Sequence, residues 1–169
     1  MMLPGAAKAR FLIHFFLATA MAGMFLLGCG ERRSEQYRQQ GDTYLHLGKH
    51  PEAEEAYRNA VKADPKNAEA SLGLGRCLVA AGKREEALTV FQETTRIAPQ
   101  NDVGYLEAAG LLLNLGKSKE AMAVAQRLET VNAELGGVLR ASLLFRSGQP
   151  AEALALLTEW RGRFPDSVL

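Results

Sequence analysis

A glycine recurs through this chain at an almost fixed interval, as Gly48, Gly82, Gly116 and Gly148, spaced 34, 34 and 32 residues apart. Each sits in a near-copy of one phrase. It reads L-G-K-H-P-E-A-E-E-A-Y at its first appearance and then A-G-K-R-E-E-A-L-T-V-F, L-G-K-S-K-E-A-M-A-V-A and S-G-Q-P-A-E-A-L-A-L-L. Ala53, Ala87, Ala121 and Ala153 keep one offset from the glycines, and Pro65, Pro99 and Pro165 close three of the four units. A period of this length means like units stacked in a row, each too small to bury its own apolar face alone.

Within a unit, two apolar stretches run at helical spacing. In the first unit they are Tyr37, Gly41 and Tyr44, then Ala53, Ala56, Tyr57, Ala60 and Val61. The recurring glycine offers the positive φ that ends a helix. Small residues such as Gly41 and Ala53 allow the two helices to approach, where larger side chains would overpack at about 1–3 kcal/mol each. The Asp-Pro and Ala-Pro pairs at 64–65 and 98–99 stop the second helix, and Asn67 and Asn101 stand where an N-cap belongs. These signals predict an all-α chain of eight helices.

The same residues resemble the tetratricopeptide repeat, whose pattern is an aromatic, then Leu-Gly, a Tyr, and later Ala, an aromatic and Pro. The first unit shows Tyr37, Gly41, Tyr44, Ala53, Tyr57, Ala60 and Pro65, and the second Leu74-Gly75, Leu78, Ala87, Phe91 and Pro99. The third keeps Tyr105, Ala109, Leu112 and Ala121, with Ala125 for the aromatic and no closing Pro. The fourth keeps Ala141, Leu144, Ala153, Leu157 and Pro165, with Gly137 where an aromatic is usual. The resemblance implies a right-handed superhelical solenoid of about four helix-turn-helix repeats: 34–67, 68–101, and two degenerate units at 102–133 and 134–169.

Ahead of the repeats, Lys8 and Arg10 precede an apolar stretch from Phe11 to Leu27, the order of a secretory signal. Leu26-Leu27-Gly28-Cys29 resembles the bacterial lipobox, in which the thiol takes a diacylglycerol and the signal is cut before the cysteine. Residues 1–28 then read as a lipoprotein signal peptide, with 29–33 as the lipidated Cys29 and a short spacer to the first helix. That implies a bacterial envelope location. Gly30, rather than the Asp that retains enterobacterial lipoproteins at the inner membrane, favours the outer membrane facing the periplasm. The alternative is an uncleaved helix serving as an inner-membrane signal anchor. Two or more acyl chains anchor stably where one is marginal.

In the tetratricopeptide family a concave groove is lined mainly by the first helix of each unit. Carried onto this sequence, that face holds Arg38, Asp42 and Leu45, then Glu69, Leu72, Arg76 and Val79, then Val103, Leu106 and Leu113, then Val138, Ser142 and Phe145. It grades from charged to apolar, which suits a peptide or amphipathic helix from a protein partner. Chaperone-tail receptors of the family use a clamp of Lys, Asn and Arg for two carboxylates. Here Asp42 stands in an Asn place, and Leu72, Val103 and Glu107 fill or neighbour polar or basic ones, so the resemblance does not extend to that function. At the far end Leu154, Leu157 and Trp160 share one face of the last helix. They either pack inside the unit or form an uncapped edge suited to a homodimer.

The chain offers little else. Its formal charge of +1 gives no basic excess for nucleic acid. It has no Gly-x-Ser-x-Gly, Walker loop, His-Glu-x-x-His or Cys-x-x-Cys. Gly73-Leu74-Gly75 lacks the third glycine of a nucleotide fingerprint. His46 and His50 are separated by the helix-ending Gly48, so no metal and no cofactor is expected. The acid pairs Glu54-Glu55 and Glu85-Glu86 read as solvated helix faces, and Cys77 as a buried small hydrophobe. The function implied is a membrane-anchored scaffold for protein partners in pilus, secretion or envelope assembly. A small hydrolase with an unconventional site is the reading from another class, and no residue supports it.

Overall fold

The computed structural model describes residues 29–163, and within them the chain is helical throughout, with no strand. The described part of α1 covers 29–46. After it come α2 (His50–Ala63), α3 (Ala68–Ala80), α4 (Arg84–Ile97), α5 (Asp102–Asn114), α6 (Ser118–Val131), α7 (Ala133–Arg146) and α8 (Pro150–Arg163). Along α2 to α8 each helix packs mainly on its neighbours in sequence, and α5 also touches α7. That is the nearest-neighbour contact pattern of a solenoid. The apolar run 11–27, the signal peptide at 1–28 and the closing Pro165 lie outside the described residues. No described helix is long and apolar enough to cross a membrane.

The turn inside each hairpin is one repeated device. Gly48, Gly82, Gly116 and Gly148 have φ of 69°, 77°, 74° and 81°. In the first, the Gly48 N–H donates to Leu45 O (2.9 Å) and the Lys49 N–H to Tyr44 O (2.8 Å). This is the Schellman pair that closes a helix with a left-handed residue. The same two bonds recur at Gly82 and Lys83, Gly116 and Lys117, and Gly148 and Gln149.

Between units the asparagines act as expected. Asn67 accepts from the Ala70 N–H at 2.9 Å, and Asn101 from the Gly104 N–H at 3.1 Å. Asn132 caps α7 in the same way through the Leu135 N–H at 3.1 Å, although no proline marks that boundary. Two caps also reach back one unit. The Asn67 amide donates to Ser34 Oγ (2.9 Å) and the Asn132 amide to Asp102 (3.0 Å). Each therefore ties the start of one first helix to the previous first helix, Asn67 to Ser34 inside α1 and Asn132 to Asp102 at the start of α5. Residues 29–33 are already helical, so the expected spacer is the opening of α1. As a helix it rises about 1.5 Å per residue instead of the ~3.5 Å of extended chain.

The core runs as a chain of rings seated against glycines. Tyr57 of α2 is buried, with its ring against both Gly41 of α1 and Gly73 of α3. Phe91 of α4 lies against Gly75 of α3. In the fourth unit the pattern inverts: Gly137 of α7 takes the place of the usual aromatic, and Trp160 of α8 fills the space. Of the face carrying Leu154, Leu157 and Trp160, only Trp160 packs inside the unit. Leu154 and Leu157 remain exposed. Cys77 is a free, buried thiol within the core, and burial pushes its pKa up to about 11.

A Cβ at Gly73 would overlap the Tyr57 ring, whereas one at Gly110 in α5 would meet nothing within 4 Å. Gly73→Ala is therefore expected to lower unfolding stability in urea by about 1–3 kcal/mol. Gly110→Ala is expected to raise it by roughly 0.8–1 kcal/mol through helix propensity.

Candidate partner-binding face

Bonds between successive first helices show which residues share a face. Arg76 Nε of α3 donates to Glu107 of α5 at 2.7 Å, and Arg146 of α7 donates to Asn114 Oδ1 of α5 at 3.1 Å. These links cross from unit to unit without involving the second helices, so they mark the side on which α3, α5 and α7 lie next to one another.

At the α1 end the polar groups satisfy one another. Arg38 donates Nε and NH2 to the two oxygens of Glu35 at 2.8 and 2.6 Å, and NH1 to Asp42 at 2.6 Å. The Tyr57 hydroxyl donates to the other Asp42 oxygen at 2.5 Å. The ring that packs α1 against α3 thus also fixes this carboxylate. Hydrogen bonding from Arg38, then from Gln39, lowers the Glu35 pKa from the ordinary 4.5 to about 2. Burial, followed by the bond to Asp42, pushes the Tyr57 phenol well above its usual range.

Of the residues assigned to the groove from sequence, Arg38 and Asp42 form this network, and Arg76 pairs with Glu107. Leu45 and Leu113 are half-buried and packed against the core. Val79, Val103, Leu106 and Phe145 are exposed, Leu106 by 37% and Phe145 by 67%. Leu72 differs. It is only 2% exposed and belongs to the core cluster, so it offers no surface to a partner. The apolar stretch of the face therefore runs along α5, with Val79 before it and Phe145 after it.

Gly110 was not singled out in the sequence, although it falls between Leu106 and Leu113 on one side of α5. Helical spacing from those two leucines was the signal that could have found it. Glu54 and Glu86, taken as solvated, belong to a network across units on the second helices. Arg58 donates to both, at 2.9 and 2.5 Å, and Lys83 Nζ reaches Glu54 at 2.9 Å. Among the described residues no group of three or more His, Cys, Asp or Glu is placed to hold a metal.

A second apolar feature sits at the end of the array. Val138, Ala141, Ser142 and Phe145 of α7 and Pro150, Ala153, Leu154 and Leu157 of α8 line an open hollow of about 410 Å³. The outer edge of α1 differs, with Gln36, Gln39, Gln40, Thr43 and Tyr44 lining a depression of mixed polar and apolar surface.

Tetratricopeptide repeat family models match residues 38–102 and 136–159, together just over half of the chain. Among curated proteins no sequence matches it. Solved structures share its fold at low identity. A MamA structure aligns with a TM-score of 0.64 at 17% identity, over 80% of this chain and 77% of that one. A tetratricopeptide repeat protein from Parabacteroides merdae aligns at 0.65 and 20%, over 81% and 56%. The first such domain of Spaghetti (RPAP3), bound to an HSP90 peptide, aligns at 0.56 and 16%, over 76% and 98%.

Because the Glu35 pKa is depressed in the folded protein, its pairing contributes stability above about pH 4.5 and loses it as pH falls towards 2. Thermal unfolding of Glu35→Gln beside the wild type tests this. The gap between their midpoints is expected to hold from neutrality to about pH 5 and to close between 4.5 and 2. A gap independent of pH would exclude the ionised pair as its source.

Proposed function

From its membership of the tetratricopeptide repeat family, we propose that this chain is a lipid-anchored scaffold of a bacterial envelope, holding a protein partner on the first-helix face. The observation that carries the reading is the exposed apolar row of Val79, Val103, Leu106 and Phe145 on that face. Isolated exposed hydrophobics are ordinary, but a row of them aligned with a peptide-holding face of this fold suits a docking segment. The RPAP3 neighbour holds its HSP90 peptide on the same kind of fold.

The anchor rests on Leu26-Leu27-Gly28-Cys29 and on the position of Cys29, which is exposed and opens the described part of α1. A lipid on that thiol would place the first hairpin at the membrane surface. Gly30 after the cysteine supports the outer membrane facing the periplasm, and pilus, secretion or envelope assembly is the setting that suits such a scaffold. An uncleaved N-terminal helix would place the same face at the inner membrane.

A photo-crosslinking residue at Leu106, in cells, tests both parts. It is expected to trap a discrete partner that the same probe at Gln92, exposed on α4, does not trap. Cys29→Ser is expected to accumulate as precursor with residues 1–28 attached. Equal trapping at both positions would remove the face from the reading. Normal cleavage of the Cys29 variant would remove the lipid anchor.

A second reading, self-association, is favoured by the apolar hollow between α7 and α8. The hollow is more apolar than the mixed outer edge of α1, which favours pairing hollow against hollow about a two-fold axis. Leu154→Glu is then expected to shift a sedimenting dimer to monomer, and a wild type that sediments as monomer removes this reading.

A further inference from the structure

The first-helix face carries more acid than base where it meets its apolar row. Glu35, Asp42, Glu69 and Glu107 stand on it against Arg38 and Arg76. Arg38 is committed to Glu35 and Asp42 through three charge-assisted bonds, and Arg76 Nε to Glu107. Arg146, at the far end, is bonded to the Asn114 amide oxygen. Glu69 is exposed and takes part in no hydrogen bond or ion pair among the described residues, although Arg38 lies within its electrostatic reach. An incoming carboxylate would meet Glu69 and Glu107 beside the row, and the guanidinium bonded to an amide rather than a carboxylate, Arg146, stands at its far end. An incoming ammonium or guanidinium would find Glu69 unpaired and Glu107 with a single partner.

Beside these acids lies Gly110. It sits inside α5, with Leu106 one turn before it and Leu113 one turn after. A Cβ added there would meet nothing within 4 Å, in contrast to Gly73 and Gly75, whose neighbours fill the space. Nothing among the described residues therefore requires a glycine at this point, and a helix is weaker for having one. A bare helix surface between two leucines allows another chain to approach the α5 backbone closely. Glu107 is three residues before Gly110 on the same helix, and Glu69 is on the neighbouring α3.

We infer that this face binds an apolar peptide segment carrying lysine or arginine next to its anchoring side chain. The anchor lies against Gly110 between Leu106 and Leu113, and the cation meets Glu69 and Glu107. The inference rests on the reading of this face as the docking surface and adds the charge class of the partner.

Two fluorescein-labelled peptides of twelve residues test it, sharing one leucine stripe and differing in three flanking residues, Lys in one and Glu in the other. They are titrated into the full chain in detergent. The Lys peptide is expected to bind about tenfold more tightly than the Glu peptide at low salt, a margin that narrows as salt rises. Glu69→Lys is expected to weaken the Lys peptide by about three- to tenfold and to strengthen the Glu peptide. Gly110→Phe, projecting into open space, is expected to keep the helical circular dichroism of the wild type and to weaken the Lys peptide at least tenfold. A Glu peptide that binds as tightly as the Lys peptide, while Gly110→Phe blocks both, would overturn the charge class and leave the docking face standing. Unchanged binding of the Lys peptide to Gly110→Phe would overturn the face itself, and no binding of either peptide at 100 µM would overturn both.

Discussion

The Tyr57 ring touches a glycine in its own unit and another in the next, and the arrangement of the first three helices depends on that contact. Gly41 and Gly73 present bare helix surface to the two sides of one side chain. Its hydroxyl reaches past them to Asp42 at 2.5 Å. The ring thus supplies buried apolar area, sets how closely α1 and α3 approach α2, and orients a carboxylate on the exposed face. Phe91 against Gly75 and Trp160 against Gly137 continue the scheme along the array. A methyl group at any of these glycines displaces a ring, and the displacement passes to the neighbouring unit because each unit is held only by its neighbours.

Hydrogen bonds at the helix starts work alongside this packing. Asn67 and Asn132 each satisfy a helix N-terminus and also bond to a side chain one unit earlier. Capping is local, but the return bond ties successive first helices together, and those helices carry the candidate docking face. The result is a face whose charged end is internally paired and whose apolar part, along α5, stays open. A partner docking there, as proposed, would bury leucine without having to break an Arg38 bond.

Much of this was legible in the chain before any coordinates. The 34-residue glycine period requires stacked hairpins, and the turn glycines take the positive φ that their spacing predicts. The asparagine caps at 67 and 101 follow from residue type and position. The direction of individual side chains was less legible. Leu72 and Leu106 occupy equivalent places in successive units, yet Leu72 is covered and Leu106 is not. Helical periodicity gives the direction in which a side chain leaves its helix, but not which neighbour lies over it. For the same reason Leu154, Leu157 and Trp160 read as one face, while only Trp160 finds a glycine opposite.

The sequence by itself determined the unit, its length, its two helices, its turn and its caps, because these depend on interactions within a few residues of one another. The lipobox resemblance at Leu26-Leu27-Gly28-Cys29 is also a property of sequence alone. Tertiary structure decided which of the repeated positions became surface. It showed that Arg38 and Arg76 are held by carboxylates, that Glu69 makes no hydrogen bond or ion pair among the described residues, and that no described atom lies over Gly110 while Gly73 is filled by Tyr57. Except for the Arg38 pairs, which lie within one helix, those outcomes depend on contacts between helices, such as Arg76 with Glu107 across 31 residues, where a small rotation of one helix on the next exchanges a buried side chain for an exposed one.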